Sequence, residues 1–71
     1  MNENPTIRLK AVVLDANWVL TEETFADGRL VARTARAFAS RSELEVELGD
    51  RYVSNLNQQR LLDGEPVTLW Q

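Results

Sequence analysis

Arg29, Arg33 and Arg36 are the residues whose type and spacing come nearest to a recognition chemistry in this chain. On a helix they fall on one narrow stripe with Ser40, while Leu30, Val31, Thr34, Ala37 and Phe38 gather on the opposite side. Guanidinium groups in a row are planar fork donors suited to carboxylates or phosphates. Against a formal net charge of −3, the row reads as a docking surface for an acidic partner. Its bland counterpart is a solvated helix face. A second set, Asp15, Asn17, Glu22, Glu23 and Asp27, offers oxygen ligands at roughly calcium-loop density. However, Leu20 stands where that loop needs glycine and Ala26 where it needs a bidentate glutamate, so no metal site is expected. Glu43, Glu45 and Glu47 make an acidic row that reads as water-facing, or as a head-to-tail counterpart of the arginines in a neighbouring copy.

The chain has no cysteine and no histidine. Thiolate nucleophiles, disulfides, zinc–sulfur sites and histidine-based triads are therefore excluded within it. Carboxylates, Lys10 and Tyr52 remain for acid–base work, but a domain of 71 residues rarely encloses a substrate-sized pocket. The expectation is a non-catalytic protein without a cofactor. Nucleic acid is disfavoured as a partner by the net acidity, by only eight Lys+Arg, and by the lack of aromatics among the arginines. No apolar run is long enough to span a bilayer, and the opening MNENP lacks a signal-peptide pattern, so a cytoplasmic location is expected.

Positioning these residues requires one small core, since a chain this short buries only roughly 60% of its unfolded surface. Residues 1–5 read as a flexible arm and 6–71 as a single α+β domain. Thr6–Leu14 alternates and then becomes continuously apolar, a strand; Asp15-Ala16-Asn17 turns the chain into a second strand at Trp18–Thr21. Asp27-Gly28 reads as a turn capping a main helix from Arg29 or Leu30 to Arg41, with Phe38 as its inner anchor. Glu43–Leu48 alternates strictly, which predicts a strand with Leu44, Val46 and Leu48 inward, and Gly49-Asp50 turns it into a return strand at Arg51–Ser54. Asn55–Leu62 suits a short helix, and Val67–Trp70 a last strand after Pro66.

The expected architecture is a two-layer sandwich with one main helix on a four- to five-stranded, mostly antiparallel sheet, in the order ββαββ(α)β. That order resembles the β-grasp, or ubiquitin-like, family, and Asn57-Gln58-Gln59-Arg60-Leu61 is similar in character to that family's turn before its last strand. The ending Leu69-Trp70-Gln71 lacks the family's Gly-Gly tail, so the resemblance implies a binding version of the fold and not a modifier. Leu30-Val31-Ala32-Arg33-Thr34-Ala35 resembles the Leu-His-Ala-Arg-Pro-Ala helix start of the HPr phosphocarrier family. Val31 stands where that family phosphorylates histidine, which implies a degenerate relative unable to carry phosphate. Val12-Val13-Leu14-Asp15-Ala16-Asn17 resembles the haloacid-dehalogenase nucleophile strand, but Asn17 replaces the second aspartate and Trp18 the glycine. A strand running into an Asp/Asn turn accounts for the same residues.

The sequence thus points to a small protein-binding module, an adaptor, accessory subunit or inhibitor with the profile of phage- or plasmid-encoded factors. It would dock another protein through Arg29, Arg33, Arg36 and an exposed Trp70, with Trp18 in the core. A nucleic-acid-associated regulator using the same basic face is the alternative, and self-association stays open.

Overall fold

The computed structural model describes residues 5–70, apart from the side chain of Trp70. The proposed arm at residues 1–5 lies, apart from Pro5, outside the described residues, as does the side chain of Trp70 on which its anchor role depends.

Three long strands come first: β1 (Thr6–Leu14), β2 (Asn17–Ala26) and β3 (Arg29–Phe38). Each neighbouring pair is joined by a two-residue turn with both residues at positive φ: Asp15 at 51° and Ala16 at 64°, then Asp27 at 53° and Gly28 at 76°. This is the type I′ geometry, whose twist matches that of the strands it joins. The turns set the registers Leu14↔Asn17 and Ala26↔Arg29. The second pairing shifts register at Thr24/Phe25, so that Leu30 faces Phe25 while Ala32 faces Thr24. Val31 is the extra residue of this bulge.

Two helices follow, α1 (Arg41–Asp50) and α2 (Asn55–Leu62), before β4 (Val67–Trp70) returns antiparallel to the first half of β1, with Leu9 opposite Val67. The sheet order is β3-β2-β1-β4. Both helices start on a serine: Ser40 Oγ accepts from the Glu43 N–H at 3.2 Å and Ser54 Oγ from the Asn57 N–H at 3.2 Å. The Glu43 carboxylate also accepts from the Ala39 N–H at 2.9 Å, a near relative of the capping box. Both helices end in the same motif. The Val53 N–H donates to Leu48 O and the Tyr52 N–H to Gly49 O, each at 3.0 Å, with Tyr52 at φ 59°. In α2, Glu65 donates to Arg60 and Gly64 to Leu61, with Gly64 at φ 87°. These are Schellman endings, where the left-handed residue is normally glycine.

The core consists of Leu9, Ala11, Leu20, Phe38, Leu44, Leu48, Val53, Leu61 and Val67, with Ile7, Trp18, Leu62 and Leu69 packed around it. Odd residues of β1 and even residues of β2 and late β3 thus share the face that the helices cover.

The expected helix at Arg29–Arg41 is a strand over Arg29–Phe38, and the expected strand at Glu43–Leu48 lies within a helix. The return strand at Arg51–Ser54 is the connection between the two helices. The observed order, βββααβ, therefore departs from the β-grasp order, while the α+β class holds, with four antiparallel strands in one sheet. The HPr-like segment Leu30–Ala35 is strand, so that resemblance loses its helix start.

Candidate interaction surface

A strand cannot keep the arginines on one stripe, because successive side chains alternate between faces. Arg36 faces Leu20 in register and lies on the helix-covered side. Its guanidinium sits over the Phe38 ring, 5.0 Å from the centroid, and donates to Glu47 of α1 at 3.1 Å. Arg33 faces Glu23 on the uncovered side, with its Nε 3.9 Å from Glu23 Oε2. Arg29 directly follows the second turn and is exposed. The expected arginine face of a helix is thus replaced by three positions along one strand pointing in different directions. Glu47, expected in a water-facing row, is where the acidic and basic sets meet within one chain.

Glu47 also accepts from Arg51, whose Nε is 3.3 Å away, and Arg51 reaches Glu22 of β2 at 2.5 Å. The chain Arg36–Glu47–Arg51–Glu22 therefore ties the end of α1 to β3 and β2. Its members are partly exposed, and pairs of this kind contribute little each.

The uncovered face is laid out by register in rows. Arg8, Glu23 and Arg33 lie side by side, followed by Lys10, Thr21 and Ala35, then Val12, Val19 and Ala37. Arg8 donates to Glu23 at 2.6 Å and lies 5.5 Å from the Phe25 ring centroid. Three cations share this region with one carboxylate, around a shallow cavity of about 320 Å³ lined by Arg8, Lys10, Val12, Thr21, Glu23 and Arg33. The sequence reading missed Arg8 and Lys10. Their alternation in β1 with Ile7, Leu9 and Ala11 is the signal that places them on one face.

Beside this face runs the outer edge of β3, ten residues long, of which only Phe38 is buried. In a two-residue hairpin the residues flanking the turn form a hydrogen-bonded pair, and bonding then alternates along each strand. Even residues of β2 accordingly bond to β3 partners Ala32, Thr34, Arg36 and Phe38. The backbone groups of Arg33, Ala35 and Ala37 point away from the sheet, with no neighbouring strand among the described residues.

Asp15 and Asp27 sit in turns at opposite ends of β2, roughly 30 Å apart at strand rise, and Glu22 and Glu23 point to opposite faces. They cannot converge on one ion, and among the described residues no cluster of three acidic side chains is placed to hold a metal. Asp15 occupies a left-handed turn position on the surface, not a pocket. Tyr52 is 95% exposed, while Trp18 is half-buried against the core. Among the described residues, no helix is long and apolar enough to cross a membrane.

No family model matches this chain, and neither a curated protein nor a solved structure matches it significantly.

Proposed function

We infer that this is a non-catalytic binding module that captures an extended acidic segment of another protein along the outer edge of β3. The observation that carries this reading is the exposed strand Arg29–Phe38, whose outer backbone edge has no partner strand among the described residues and whose side chains include Arg29 and Arg33. Strand addition to such an edge draws affinity from main-chain hydrogen bonds and selectivity from alternating side chains. Carboxylates on the incoming strand would meet Arg29 and Arg33, with Arg8 and Lys10 farther across the uncovered face. Among the described residues, Arg33 is held only by a long contact to Glu23 and has little to give up on pairing. In this reading the helices serve as a second layer that keeps one side of the sheet dry, and the lack of cysteine supports a cytoplasmic setting. The docking edge is what supports an adaptor or inhibitor role.

Affinity capture from the producing cells with mass spectrometry identifies the partner, and calorimetry on its acidic segment tests the site. Ala35→Pro removes an outward N–H from an edge strand, which tolerates proline, and should abolish binding while circular dichroism stays unchanged. Arg29→Glu with Arg33→Glu should weaken it by roughly tenfold or more. Binding indifferent to both changes would sink the reading. Salt-dependent retention on DNA without peptide capture would assign the basic face to nucleic acid instead.

A further inference from the structure

The opposite side of the sheet has a second open edge. β4 covers β1 only from Thr6 to Leu9. The preceding residues, Glu65 and Pro66, lie outside the strand, so the ladder stops at Val67. Among the described residues, Lys10–Leu14 therefore has β2 on one side and no strand on the other. Natural edges are usually guarded by charge, proline or a bulge. This one carries Val12, Val13 and Leu14, which are 42%, 59% and 60% exposed.

We propose that Lys10–Leu14 pairs antiparallel with the same segment of a second copy, making a two-fold dimer with a continuous sheet across the seam. Three observations select this occupant. The first is backbone phase. Even residues of β1 bond to β2, so the groups of Ala11 and Val13 face outward, as do those of Ile7 and Leu9 toward β4. Pairing centred on Val12 sets Ala11 against the partner copy's Val13 and the reverse, giving two reciprocal pairs of hydrogen bonds in the correct phase. The second is length. The gap left beside β1 runs from Lys10 to the turn at Asp15, and the segment that fills it is the same stretch, ending at the same turn. The third is charge. This register places Lys10 of each copy beside Leu14 and next to Asp15 of the other. Neither Lys10 nor Asp15 has an ion pair within its own chain among the described residues. Val12 would meet its own copy at the two-fold axis, on the close, non-hydrogen-bonded side of the ladder. The outer edge of β3 is the poorer choice for self-pairing, because it would crowd arginines from both copies along one seam. A contact of this kind is isologous and closes on itself.

The test is sedimentation equilibrium from micromolar to millimolar chain, with amide exchange read over the same range. The wild-type protein should dimerise, and the Ala11 and Val13 amides should slow as concentration rises. Val12→Lys sets like charges against each other at the axis and should weaken association by roughly tenfold or more, with an unchanged circular dichroism spectrum. Lys10→Glu, which brings a like charge near the partner copy's Asp15, should weaken it as well. A wild-type chain that stays monomeric at millimolar concentration overturns the proposal. So does a dimer indifferent to Val12→Lys, or one whose Ala11 and Val13 amides exchange at a constant rate. Because β3 takes no part, Ala35→Pro should leave dimerisation intact, which separates this result from the peptide-binding test.

Discussion

Tyr52 occupies the left-handed closing position of α1, where a side chain other than glycine or asparagine is disfavoured, and its ring is almost wholly solvated. Gly64 holds the corresponding position in α2. The two ends do the same job with opposite residue choices. Tyr52→Gly should therefore stabilise the protein by about 1 kcal/mol, seen as a higher urea midpoint at constant slope, since it relieves the backbone and removes no packing. An unchanged or lower midpoint would mean that the phenol ring has contacts in solution that compensate for its backbone. The arginines teach a related lesson. Arg29, Arg33 and Arg36 have spacings of four and three, which is helical spacing, yet what lies before them is Asp27-Gly28 between Phe25-Ala26 and Leu30-Val31. That dipeptide between apolar residues is a strong hairpin signal, and here it outweighs the periodicity of three charges.

At the scale of elements, β1 and the turn after it, α2 and β4 were legible because each has its own punctuation, Asp15-Ala16-Asn17, Asp63-Gly64 and Pro66, although β2 runs on to Ala26, past the Thr21 expected of it. β3 and α1 were not, and they were misread in opposite senses. The run Glu43–Leu48 alternates, but Leu44 and Leu48 are also four apart, and that spacing is the one the structure uses. Both are fully buried while Val46, which a strand would turn inward with them, is 64% exposed. The deciding signal was the Ser40-x-x-Glu43 start, which supplies acceptors for backbone N–H groups that a new helix leaves unpaired. Leu44→Ala should cost about 2–5 kcal/mol, whereas Val46→Lys should stay within about 0.5 kcal/mol. Equal losses at the two positions, measured by denaturant unfolding, would restore the strand. The candidate site was legible only as a list of arginines. Which face each one takes depends on the β3 assignment, which the Asp27-Gly28 turn signals, and on the bulge at Val31, which no residue type marks.

For the molecule as a whole, stability on the order of 4–11 kcal/mol is expected at this length, and it rests on a short list of apolar side chains around Leu9. Val67, 4% exposed, joins β4 to that core. Val67→Asp should cost more than about 3 kcal/mol by burying an unpaired charge. The loss should appear at one midpoint by far-UV circular dichroism and tryptophan emission alike, as a single cooperative unit requires. Two separated transitions would show β4 to be a detachable flap.

The pairing of Leu9 with Val67 links the first element of the fold to the last. On the ribosome, β1, β2 and β3 can zip together as soon as they emerge, since each needs only the strand made just before it. The sheet remains one strand short until synthesis has passed Val67, and through that interval the nascent chain presents Ile7 and Leu9 beside Val12 and Val13 along one bare side. Until β4 has emerged and docked, that side is where the chain must avoid sticking to its neighbours.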